Sequence, residues 1–392
     1  MTYHQARSPS PIRERSMNTR SADARALAGR RGGLVGTPRQ TWIDLARAVA
    51  LVLVVVGHTE RGLVAAGIMP DATADDFDRV IYSFHIPLFF MISGLLFAQS
   101  IGRRPFMLSW KARTLRLVQP CLVWSIVLLG LIVLAANLAN TPVSPGDALA
   151  GILLLPLQPV SIFWFLYTLL LCMLVSGLAV EYWRFTPTKL LFWSFVIHLV
   201  YLFWLSDLQT GMGLQFVRFG EHQLYFAIGY FLAPSVLFHD ASLPERWKDP
   251  RFIGAFAILM AVCFLAAVIV LTELDMSYHS AIGTLAALSA SAAVLSACYL
   301  ATRGGNWTVP AAVLTISSET LAIFCMHVPF IGAARLAMVH LGITGAAVLL
   351  VAGTVMGLSG PLLALRLMDS LGLSRFAGFR DDRRMQRYGG RS

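Results

Sequence analysis

Apolar residues along this chain fall in long blocks, not in strand-like alternation. Ten blocks stand out, at about 42–65, 80–100, 118–138, 161–180, 190–206, 215–238, 252–272, 279–301, 316–339 and 343–366. Blocks of this kind, about 17–25 residues long, are what roughly 30 Å of hydrocarbon requires of a helix. The fifth is the shortest. The run from Trp307 to Ile316 either extends the ninth inward or lies along the interface as a short amphipathic piece. The pattern predicts an all-α membrane protein, a bundle of about ten transmembrane helices filling residues 41–368.

Composition agrees. The chain has 392 residues, 57% hydrophobic and only 13% charged. A soluble protein carries roughly a quarter charged residues. Residues 1–40 hold eight arginines, two acids and scattered Ser, Pro and Gly, too little apolar content for a core. They read as a disordered basic cytoplasmic tail, and residues 369–392 as a second basic cytoplasmic tail. A signal peptide is not expected, because the apolar run after residue 41 is too long for an h-region.

The net charge of +10 raises the question of nucleic acid. Its placement points elsewhere. With the N-terminal tail inside and the spans alternating, the inside segments collect 25 of the 31 basic residues. The acids Asp71, Asp75, Asp76 and Asp78 fall outside. This is the positive-inside pattern, and an even span number leaves both termini in the cytoplasm. The charge is thus a topology signal plus attraction to anionic membrane lipid, and no nucleic-acid partner is expected.

Five cysteines all lie within apolar blocks without a CxxC spacing, so they read as small packing residues. No metal site is expected: none of the nine histidines has a partner at ligand spacing. No internal repeat of the kind common in transporters is visible.

The first block, "WIDLARAVALVLVVVGH", breaks its own pattern with Asp44, Arg47 and His58. A charge at mid-bilayer costs roughly 2.5–3.5 kcal/mol on insertion scales, so such residues face the bundle interior and tend to act there. Arg47 and His58 are eleven residues apart, which leaves them ~20° from alignment and ~16 Å apart along the axis. Asp44 sits one turn before Arg47, placed to pair with it. The alternative is that Asp44 and Arg47 snorkel to the inner interface while His58 is a packed polar residue.

Arg47, ten residues, then His58, after "DLAR", resembles the opening signature of the acyltransferase-3 family of integral membrane acyltransferases, nearest to the fucose 4-O-acetylase type. Three more stretches match in order: "SFHIPLFFMISGLLF" from Ser83, "KARTLRLVQP" from Lys111 and "SSETLAIFCMHVPF" from Ser317. "IFWFLYTLLL" from Ile162 matches more weakly. In the third-span motif Arg113 and Arg116 are separated by Thr114 and Leu115 where the family often has adjacent basic residues.

The resemblance implies a bacterial inner-membrane enzyme that moves acetyl from cytoplasmic acetyl-CoA to a hydroxyl of a surface or lipid-linked saccharide. No cofactor is expected to stay bound; acyl-CoA is a cosubstrate. His58 becomes the candidate catalytic base or a transiently acylated relay, with Arg47 and Asp44 beside it. Lys111, Arg113 and Arg116, with Arg47, become the candidate site for the CoA phosphates. His85, His327 and Trp164 are candidates for the acceptor side. Each has a plainer reading: a hydrogen-bonded core histidine for His85 and His327, and an interfacial anchor for Trp164. The rival function is a transporter or flippase for a lipid-linked sugar, with the intramembrane charges as a proton relay.

Overall fold

Without water, a chain in hydrocarbon must satisfy its own backbone hydrogen bonds, and helices do this within each segment. The computed structural model describes residues 40–101, 106–135, 143–155, 158–206, 208, 213–237, 245–303 and 307–379. The N-terminal tail before Gln40 and the segment after Phe379 lie outside the described residues. The helices are α1 (Thr41–Val64), α2 (Asp71–Ile81), α3 (His85–Ser100), α4 (Phe106–Leu134), α5 (Pro145–Leu154), α6 (Trp164–Glu181), α7 (Pro187–Val200), α8 (Leu214–Leu237), α9 (Pro250–Glu273), α10 (Ala281–Arg303), α11 (Ala311–Ser318), α12 (Thr320–His340) and α13 (Ala346–Ser370). Among the described residues, nine helical stretches are long and apolar enough to cross a membrane. The protein is an all-α multi-pass membrane protein.

The expected sixth span is α8, which has the length, at 24 residues, but falls outside those nine because its first turns carry Arg218, Glu221, His222 and Gln223. These polar groups are tolerated because α8 is wrapped by α3, α6 and α7. Gln223, for example, is buried and donates to Ser176 Oγ at 3.0 Å and Ser194 Oγ at 3.2 Å. Peripheral α9 shows the opposite economy, with Ile258, Leu259, Val262, Leu265 and Ile269 exposed on its outer face.

The hub is α1, which packs against α2, α3, α10, α11, α12 and α13. Its two ends are called proximal (Thr41) and distal (Val64). Small residues set the closest crossings. A Cβ on Gly94 of α3 would fall on the Phe226 carbonyl, and one on Gly229 of α8 on the Met91 carbonyl, so this pair of helices meets backbone to backbone. On α13, Gly353 and Gly357 leave room for Thr59 and Val55 of α1.

Two expected continuous spans are broken. The second contains Pro87, a residue type that kinks a helix interior. The break lies a turn earlier, at Tyr82–Phe84, and Pro87 is the third residue of α3, where a missing N–H costs little. The ninth is split at Glu319 into α11 and α12, so the Trp307–Ile316 run leads into a separate short helix packed on α1. At the chain's other end, Leu371–Phe379 turns back onto the proximal part of α4. Trp124 Nε1 donates to the Ala377 carbonyl at 3.2 Å and stacks on Phe379. Gly378, at φ +86°, brings its backbone against Pro120.

Candidate active site

At the proximal end, the break at Glu319 frees Ser317 to reach α1. Its hydroxyl donates to Asp44 Oδ1 at 2.8 Å, and its carbonyl lies 3.4 Å from Arg47 Nη1. Asp44 and Arg47 themselves are 4.0 Å apart. The two therefore meet through Ser317 more closely than through each other. This knot ties α1 to the α11–α12 junction.

The three basic residues of the third-span motif diverge. Lys111 and Arg116 are exposed. Arg113 turns inward, 5.3 Å from the Phe97 ring centroid, and its Nη1 is buried without a hydrogen-bond partner among the described residues. Two donors thus face outward and one is held in a half-buried pocket against α3.

Further along α1, His58 meets His327 of α12 with ring centroids 5.1 Å apart. His327 is fully buried. Its Nδ1 lies 2.8 Å from the Phe324 carbonyl and 3.1 Å from the Ile323 carbonyl. A carbonyl only accepts, so Nδ1 carries the proton and Nε2 presents a lone pair. That Nε2 is buried and has no hydrogen-bond partner among the described residues. His58 lines a cavity of about 420 Å³ between α1, α4, α12 and α13, whose wall includes Leu128, Leu131 and Ile132 of α4 and Ile331 of α12. On α12 the lining residues Val328, Gly332 and Arg335 recur at helical spacing.

His85 is buried at the start of α3. Its Nδ1 bonds the Ile81 carbonyl at 2.7 Å, which also accepts from the Phe84 N–H at 3.3 Å. The ring stands edge-on to Tyr82 at 4.7 Å. Trp164 opens α6, and one of its faces is covered by the Arg218 guanidinium at 4.4 Å. His222 lies beside it at 5.6 Å.

The sequence reading left several groups without a role. Ser317 carried no signal beyond its place in the fourth motif. Glu60 lies about 200° round α1 from His58; it is fully buried, with neither carboxyl oxygen hydrogen-bonded among the described residues. The stretch "RFGEHQ", with Arg61, Arg79 and Arg335, reads from sequence as a border of the glycan site or as surface charge; neither reading foretells that Glu221 accepts from His279 Nδ1 at 2.8 Å across the bundle. Among the described residues no three His, Cys, Asp or Glu side chains gather as metal ligands.

Comparisons with known proteins give the chain its family. The nodulation protein NolL of Mesorhizobium japonicum is 30% identical over 131 residues, 33% of this chain and 33% of that protein. NolL of Sinorhizobium fredii is 31% identical over 140 residues, 36% of each. The matched stretch thus spans about a third of these relatives. No solved structure matches. The pattern of the acyltransferase-3 family, described as an acyltransferase domain, covers residues 40–366, and on that match the chain belongs to the acyltransferase-3 family.

Proposed function

We propose that this protein is a membrane O-acyltransferase that moves acetyl from cytoplasmic acetyl-CoA to a saccharide hydroxyl on the other side of the bacterial inner membrane. The observation that carries the reading is that His58, which lines the cavity, packs against the buried His327, in a chain of this family. With the proximal end in the cytoplasm, Lys111 and Arg116 offer cations to the CoA phosphates, and Arg113 adds a planar fork. Arg47, oriented by Asp44 and Ser317, sits beside the path of the pantetheine arm. The thioester then lies near His58, ~16 Å deeper.

The chemistry follows from imidazole. His58 takes the proton of the acceptor hydroxyl as that oxygen attacks the thioester carbonyl carbon. The C–S bond breaks, the new ester keeps the acyl group, and the proton passes from His58 to the thiolate. His327, fixed as an Nε2 acceptor, can receive an N–H from His58 and stabilise its cationic form. In the relay version His58 is itself acylated before the hydroxyl attacks. The apolar cavity walls favour a lipid-linked acceptor over a free glycan.

The test is mass spectrometry of surface and lipid-linked glycans from cells making wild-type or His58→Ala protein at equal membrane levels. Acetyl-sized increments should vanish with the variant. Identical acyl patterns in wild-type, variant and deletion strains would discard the reading, and flux of a lipid-linked sugar would become the activity to measure.

A further inference from the structure

Four arginines mark the distal half of the bundle, and they are not equivalent. Arg61 clasps Asp78 with Nη2–Oδ2 at 2.6 Å and Nε–Oδ1 at 3.2 Å. Arg79 pairs with Asp275. Arg218 lies over Trp164. Arg335 has no carboxylate within ion-pair distance among the described residues. Its hydrogen bond is from Nη1 to the Gly62 carbonyl at 2.7 Å. That bond holds the guanidinium in the cavity that His58 also lines.

The walls around it are mostly apolar, with Leu131, Ile132, Ile331, Leu336 and Leu349, and with Thr59 and Ser161 as polar members beside His58. Leu131 is 41% exposed on the outside of α4, so the wall reaches the surface that faces lipid. A cation among leucines is costly unless an anion joins it, and one carbonyl supplies only a partial charge. The remaining donors of the fork match two oxygens of a phosphate.

We propose that Arg335 is the anchor for the phosphate of an amphiphile, with its apolar tail on the α4 wall and its head beside His58. On the transferase reading above, that amphiphile is the acceptor: a saccharide joined to a lipid through phosphate. The binding step itself does not depend on that reading.

The experiment is thermal unfolding of the purified full-length protein in phosphatidylcholine nanodiscs, with three probes: dodecyl phosphate, dodecyl glucoside and inorganic phosphate. Dodecyl phosphate should raise the midpoint by several degrees, as a ligand bound only to the folded state does; the other two should not. Arg335→Gln should abolish the shift, and Arg79→Gln should keep it. Arg335→Lys retains the charge and a donor for Gly62, and should need at least fivefold more dodecyl phosphate; this arm decides the matter if Arg335→Gln does not fold. A shift that survives Arg335→Gln, an unchanged requirement in Arg335→Lys, or equal shifts from dodecyl glucoside or inorganic phosphate would each overturn the anchor. Acetyl transfer is read separately, by the glycan mass spectrometry above: a phosphate-dependent shift with identical acyl patterns in wild-type, His58→Ala and deletion strains would refute the transferase and leave the anchor standing.

Discussion

The two ends of α1 hold ionisable groups in opposite ways. At the proximal end Asp44 and Arg47 are engaged by Ser317, and the knot joins two parts of the chain. Further along, His58 lines a cavity, His327 has an open Nε2, and Arg335 has no carboxylate partner among the described residues. On the proposed function, one helix carries a fastening and a reaction site about three turns apart.

That contrast can be broken by measurement. The largest effect belongs to His58→Ala, expected to lower acetyl transfer by about 10³-fold, within the range for loss of a general base, while the amount of folded protein in the membrane is unchanged. Activity above a tenth of wild type would move the reaction site elsewhere. His327→Gln comes next, at about 10²-fold in kcat with KM for acetyl-CoA held. An equal loss of thermal stability and activity would instead make His327 a packing residue.

Ser317→Ala probes the fastening. It removes the hydroxyl that donates to Asp44 and should cost about 1–2 kcal/mol of stability. Acetyl-CoA KM should rise several-fold while kcat changes less than His327→Gln changes it; a kcat loss as large as that of His58→Ala would erase the distinction between the two ends. The smallest effect is expected from Trp164→Ala, below threefold on acceptor KM, because Arg218 covers one face of the indole. A larger rise would return Trp164 to the acceptor site as a stacking surface.

Much of the architecture was legible because each span must present its own apolar run. That reasoning works segment by segment and weakens where neighbours supply the solvation. The polar start of α8 is buried against α6 and α7, so Gln223 sits in the bundle interior without breaking a helix that hydropathy alone scores poorly. The strongest local breaker in the second span is Pro87. The chain instead parts before His85, whose ring shares the Ile81 carbonyl with the Phe84 N–H. Of the candidate site residues, His58 and His327 meet, whereas Lys111 and Arg116 stay exposed and apart from that pair.

The sequence by itself determined the membrane class, the order of its long apolar segments, and the motifs that mark the family, since hydropathy and short motifs are properties of contiguous residues. Only the tertiary structure decided which charges are spoken for. Arg61, Arg79 and Arg335 look alike in the sequence. Two find acids and one faces a cavity. Ser317 reaches Arg47 across 270 residues of chain. Such pairings depend on which helices touch and at what height, and those are set by packing of the whole bundle.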